Sequence, residues 1–131
     1  MTGIAVFGHG SRVETANQAV RDFTAELGRR GGFPLIEASF LELGQPDLPE
    51  AVARMVNQGA TRIVVIPYFL TLGMHLKRDL PRIAAELSGI YKGVRIDVTE
   101  PMDGHPALLE VLLDRAKDAL DGGSSSASQT D

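Results

Sequence analysis

Apolar positions along the chain follow two alternating rhythms. Gly3 to Phe7 (GIAVF) is a nearly unbroken apolar run closed by Gly8-His9-Gly10-Ser11, as expected of a strand buried on both faces and followed by a turn. Val13, Ala16, Val20, Phe23 and Leu27 then recur every three or four residues, one stripe of an amphipathic helix that Gly31-Gly32 ends. Pro34 to Leu41 (PLIEASFL) reads as a second strand, and Leu48, Val52, Met55 and Val56 mark a helix that opens near Pro46 and stops by Gly59. Thr61 to Pro67 (TRIVVIP) is rich in β-branched residues and predicts a central strand. A glycine-containing loop, Tyr68 to Met74, leads to a third helix marked by Leu76, Leu80, Ile83, Ala84 and Leu87, with Pro81 tolerable only in or near its first turn. Val94 to Val98 predicts a fourth strand, and Leu109, Leu112, Leu113, Ala116 and Leu120 a last helix begun around Pro106.

Four strand-helix units joined by right-handed crossovers predict an α/β fold, a four-stranded parallel sheet with helices on both faces, for which the order 2-1-3-4 is taken by analogy with flavodoxin-like sheets. Residues 1–121 are read as one such domain, and Gly122 to Asp131 (GGSSSASQTD), which has nothing to bury, as a disordered polar tail.

Composition narrows the function. A chain of 131 residues has room for one catalytic domain, and its net charge of -4 gives no global field for nucleic acid or an anionic membrane. An anionic ligand would have to be held by local positive charge. The absence of cysteine excludes thiolate metal sites, iron-sulfur clusters and cysteine nucleophiles, so a metal would need His and carboxylate donors. With only His9, His75 and His105, one chain cannot close an all-imidazole cage, although two chains can. Nothing basic precedes the first apolar run, and the longest apolar tract, Ile63 to Met74, is broken by Pro67 and Gly73, so a cytoplasmic protein is expected.

In an open parallel sheet, ligands bind beyond the carboxyl ends of the strands. His9, Glu42, Tyr68 to His75, and Glu100 to His105 all follow strands and fall on that rim. Gly8-His9-Gly10-Ser11-Arg12 lacks the third glycine of a dinucleotide fingerprint and the Gly-Lys-Ser/Thr ending of a P-loop. A phosphohistidine hydrolase would need an arginine before the histidine; Gly8 stands there, and only Arg12 could deputise. What remains is a metal-binding or proton-transfer histidine presented by glycines, or a plain turn with an exposed histidine. Tyr68-Phe69-Leu70 is oddly apolar for a loop: either it packs on a neighbouring helix, or it is a platform for a flat organic ligand, with His75 at its edge and Lys77 and Arg78 placed for carboxylates. Glu42 is a proton acceptor, a metal ligand or a surface glutamate, and His105 is first a helix-cap residue.

Together, His9-Gly10-Ser11-Arg12, Phe40-Leu41-Glu42 and Pro67-Tyr68-Phe69-Leu70…Gly73-Met74-His75…Asp79-Leu80-Pro81 resemble the class II tetrapyrrole chelatases, in particular their short, single-half sirohydrochlorin cobaltochelatase type, over residues 1 to about 120. The resemblance implies ATP-independent insertion of a divalent metal into sirohydrochlorin, a tetrapyrrole carrying many carboxylates, by a homodimer whose two-fold partner completes the cleft. By matching position, His9 and His75 would handle metal and accept protons, with Glu42 placed like an acidic residue of the family motif. Ser11, Tyr68, Phe69 and Leu70 would face the pigment, and Arg12, Lys77 and Arg78 are the natural anchors for its carboxylates. No permanent cofactor is expected, since the metal is a substrate. Cobalt follows from the similarity, while imidazole and carboxylate donors leave nickel or iron open. The competing readings are a phosphohistidine hydrolase and a non-catalytic metal or tetrapyrrole carrier.

Overall fold

A computed structural model describes residues 1–122. The expected tail therefore lies, apart from Gly122, outside the described residues. The chain divides into two compact units, Met1–Pro101 and Met102–Asp131.

The first unit holds β1 (Thr2–Gly8), α1 (Glu14–Gly31), β2 (Ile36–Phe40), α2 (Leu48–Asn57), β3 (Arg62–Pro67), α3 (Met74–Ile90) and β4 (Arg95–Val98). The four strands are parallel, as the alternation of patterns requires, and lie in the order β2-β1-β3-β4 of the flavodoxin-like arrangement. The β1–β3 register pairs Ala5 with Val65 and Phe7 with Pro67. Ala5, Phe7, Ile63 and Val65 bury one sheet face against Val52 and Met55 of α2 and Leu80 and Leu87 of α3. The opposite face meets α1, where Gly28 lies so close to β2 that a Cβ there would stand 2.6 Å from the Ile36 side chain. The Asp47 side chain caps α2 in a capping box with Glu50, two exposed bonds of 2.9 Å that satisfy otherwise free backbone N–H groups.

Two helices differ from the hydrophobic pattern. In α1 the buried residues are Asn17, Thr24 and Gly28, whereas Val13 and Phe23, expected to face the core, are 59% and 60% exposed and Ala16 is exposed too. Close approach to β2 demands small residues, and the neighbouring loops demand a polar one, so the packed face is not the most apolar one. In α3 the helix already begins at Met74, which places Pro81 in its interior rather than in the first turn. Pro81 offers no N–H to the Lys77 carbonyl, and the burial of Leu80, Ala84 and Leu87 holds the helix across the missing bond.

The second unit contains α4 (Pro106–Leu120). His105 caps it, its Nδ1 accepting the Ala107 N–H at 3.0 Å, which is the cap role expected of it. α4 has no buried residue: Leu109, Leu112, Leu113, Ala116 and Leu120, expected to face a core, are exposed. Among the described residues no helix is long and apolar enough to cross a membrane.

Candidate functional site

The carboxyl end of β1 is held from both sides. Leu41 N–H donates to the Gly8 carbonyl at 2.9 Å and Glu42 N–H to the His9 carbonyl at 3.2 Å, while Tyr68 N–H donates to the Phe7 carbonyl at 2.7 Å. His9 thus stands between the loop that follows β2 and the loop that follows β3. Gly10 makes this closeness possible: its φ is +94°, and a Cβ there would lie 1.6 Å from the Glu42 carbonyl oxygen. Only glycine fits.

His9 and Glu42 meet at the top of this arrangement, with Nε2 and Oε2 3.9 Å apart and side chains 60% and 57% exposed. His9 Nδ1 lies 3.3 Å from the Gly10 carbonyl, which can only accept and so favours a hydrogen on that nitrogen, while Nε2 is the ring atom turned toward the carboxylate. The His9 ring also meets the edge of Phe69, centroids 6.1 Å apart, and Phe69 packs at 5.9 Å on Phe7.

The loop after β3 serves two purposes. Phe69 and Leu72 pack against the core, whereas Leu70 and Met74 are 64% and 86% exposed. Tyr68 stacks on Phe23 of α1 at 5.7 Å, which gives the exposed Phe23 ring a partner on this side of the sheet. His75 sits in the first turn of α3, exposed, with Nδ1 3.2 Å from Arg78 Nη2. A guanidinium only donates, so His75 Nδ1 accepts and its other nitrogen carries the hydrogen. Arg78 also leans on Asp79 at 3.5 Å. Gly73 gives α3 no side-chain cap.

The remaining predicted residues divide by partner. The Ser11 hydroxyl accepts the Val13 N–H at 3.0 Å and keeps its own hydrogen to donate. The Arg12 and Lys77 side chains are exposed and make no hydrogen bond or ion pair among the described residues. Lys77 lines a cavity of about 210 Å³ with Thr71, Leu72, Thr99 and Glu100, between the loops that follow β3 and β4. A larger cavity of about 380 Å³ lies away from the histidines, lined by Arg21, Glu37 and Arg54, but these charges are already paired with Glu14 and with each other. Among the described residues no three His, Asp or Glu side chains gather into a metal cage.

Two residues beneath the site were not singled out by the sequence pattern. Asn17 is buried and bonded to the loop that carries His9 and to the loop that follows β2. Arg21 lies over the Phe40 ring at 5.2 Å and bonds the Gln45 carbonyl through two nitrogens. Hydrogen bonds from Arg21 and then from Asn17 hold the Glu14 carboxyl below the usual carboxylate range. The available signal was a polar residue at the helical spacing Asn17, Thr24, Gly28, immediately after a glycine-rich loop.

Comparison with known proteins shows what the chain is similar to. The family described as CbiX matches residues 3–119. A sirohydrochlorin cobaltochelatase of Sulfolobus acidocaldarius is 35% identical over 120 residues, covering 92% of this chain and 94% of the relative. A chloroplastic sirohydrochlorin ferrochelatase of Arabidopsis thaliana is 34% identical over 118 residues, covering 90% of this chain but 52% of the relative, so the chain spans about half its length. Among solved structures, the sirohydrochlorin chelatase SirB from Bacillus subtilis subspecies spizizenii in complex with cobalt superposes with a TM-score of 0.81 at 33% identity, over 89% of this chain and 50% of that one.

Proposed function

The chain belongs to the CbiX family, and on that premise we propose that it inserts a divalent metal, cobalt first, into metal-free sirohydrochlorin without ATP. The supporting observation is the His9–Glu42 pair. With metal–donor bonds of about 2.1 Å, two donors at a right angle lie about 3.0 Å apart and two opposite donors about 4.2 Å. The 3.9 Å between Nε2 and Oε2 falls inside that range, so one cation can bridge them with little side-chain motion. Two donors without a third bind a metal loosely enough to pass it on. As metal–nitrogen bonds form in the macrocycle, two pyrrole N–H bonds break and two protons leave. Glu42 and the two histidines are the acceptors in reach of this rim. For His75 to accept at Nδ1 it must release Arg78, which frees that guanidinium for a substrate carboxylate.

The macrocycle lies over the open rim, since 210 Å³ is below the roughly 300–1,000 Å³ of small-molecule sites and holds one peripheral carboxylate arm beside Lys77 at most. Leu70 and Met74 offer apolar surface for the disc. Its second wall is read as the same rim of a second copy: this chain covers half of the longer ferrochelatase relative but nearly all of the archaeal one. Iron is the second reading, supported by the ferrochelatase among the relatives.

The test is anaerobic: protein, metal-free sirohydrochlorin and cobalt should shift the visible spectrum faster than pigment and metal alone. His9→Ala and His75→Ala should each slow it by about 10²-fold or more, the usual worth of a positioned proton acceptor. Wild-type rates in both variants would remove the proposal, and faster metallation with iron than with cobalt would transfer it to the second reading.

A further inference from the structure

The exposure of His9 and Glu42 poses a question. Two side chains more than half in solvent are not held by their own contacts, so their spacing must be set from below. Asn17, 2% exposed on the first turns of α1, sits where such control is possible. Its Oδ1 accepts the Ser11 N–H at 2.9 Å, and the two hydrogens on its Nδ2 are shared among the Ser11 carbonyl at 2.9 Å, the Leu43 carbonyl at 2.9 Å and Glu14 Oε1 at 3.1 Å. The orientation of the amide follows from these partners. Turned over, its oxygen would face two carbonyls and its nitrogen an N–H.

One side chain thereby fastens two loops. Ser11 is two residues from His9, and Leu43 adjoins Glu42. Leu43 is held at a φ of +61°, the left-handed region that a leucine seldom adopts, and its carbonyl is the one Asn17 takes. Gly44 beside it has no room for a Cβ, which would approach Asn17 Nδ2 to 3.1 Å and the Phe40 ring to 2.9 Å. No buried side-chain nitrogen or oxygen among the described residues lacks a partner, so this hub is fully bonded.

We propose that Asn17 is the positioning residue of the metal-handling pair, fixing the spacing of His9 and Glu42 by bonding the backbone of both loops that carry them. The inference rests on the chelatase reading for its catalytic consequence, but the fastening can be measured without any pigment. Asn17→Ser removes the hub, and Asn17→Asp keeps its shape while replacing two donor hydrogens by an acceptor.

Three measurements decide it. Amide exchange at Leu41 and Glu42, the donors to Gly8 and His9, should quicken at least about tenfold in either variant while Val65 in β3 is unchanged. In metallation assays kcat should fall about 10–100-fold with KM for the pigment within about twofold. With Glu42 already replaced by alanine, Asn17→Ser should cost less than about threefold, because no pair is left to position. Unchanged exchange at Leu41 and Glu42 would overturn the proposal, as would equal kcat losses with and without Glu42. Were the parent protein unable to metallate the pigment, quickened exchange confined to the two loops would still uphold the fastening, and the chelatase reading alone would fall.

Discussion

The two histidines are presented by opposite means. His9 follows the central strand, in a loop whose backbone is bonded to its neighbour and pinned by a buried amide. His75 rides on the first turn of a helix with no side-chain cap, next to exposed Met74, and among the described residues its one side-chain hydrogen-bond partner is the exposed Arg78. The first arm is pre-organised and the second adaptable. A site that must hold a small cation and then admit a large flat pigment has use for both: fixed donors for the ion, and a yielding edge for the disc.

Matched glycine substitutions give the largest test of this contrast. Gly10→Ala places a methyl group on the Glu42 carbonyl at a positive φ, so it should destabilise the fold by more than about 3 kcal/mol in a urea melt and abolish metallation. Gly73→Ala meets nothing within 4 Å at an extended φ of -65°, and should cost under about 1 kcal/mol and leave the rate within about twofold. Equal effects of the two would erase the difference between the arms.

Arg78→Met is expected to have a smaller effect. If Arg78 anchors a substrate carboxylate, KM for the pigment should rise about 3–10-fold while kcat holds within about twofold, since an exposed charge-assisted bond is worth little more than that. A fall in kcat at constant KM would show instead that Arg78 acts through His75, and that the second arm is as firmly set as the first.

The same contrast explains how far the sequence could be read. The four strands, and the places of His9 and Glu42 just after the first two and of His75 beyond the third, followed from alternating apolar runs, because a buried parallel strand leaves a compositional trace at every position, whereas the strand order came only from the flavodoxin-like analogy. Asn17 left none that hydrophobicity detects. The helical stripe Val13, Ala16, Val20, Phe23 and Leu27 drew attention to the apolar face of α1, while the chain packs on the neighbouring face through Asn17, Thr24 and Gly28. Hydrogen bonds to loop backbone and close approach through glycine are tertiary facts, visible in a sequence only as an unexplained polar residue. Pro81 departs from expectation for a related reason: local propensity argued for a position in or near the first turn of α3, and the burial of Leu80 and Leu87 outweighs it in the helix interior.

Acid separates the arms by the smallest margin. The strands on the His75 side, β3 and β4, are tied by Asp97, which pairs with Arg62 and Arg95 at 3.0 Å; hydrogen bonds from Arg95 and then Arg62 hold its carboxyl below the usual range. A carboxyl lowered in the fold binds its proton more readily when unfolded, so its stabilising contribution is complete above the unfolded value of about 3.9 and disappears as pH falls through the lower, folded value. Asp97→Asn should therefore lower the melting temperature slightly at neutral pH, and the gap from the parent should close in acid. Added salt should narrow it as well, because these charges are exposed. On the His9 side Glu14 is lowered in the same way, yet three of the four bonds of Asn17 go to backbone groups that do not titrate. Protection of the Leu41 and Glu42 amides should accordingly outlast that of Thr99, whose N–H donates to Val65 across β3 and β4, as the pH is lowered. The reverse order would mean that charge rather than the buried amide holds the first arm.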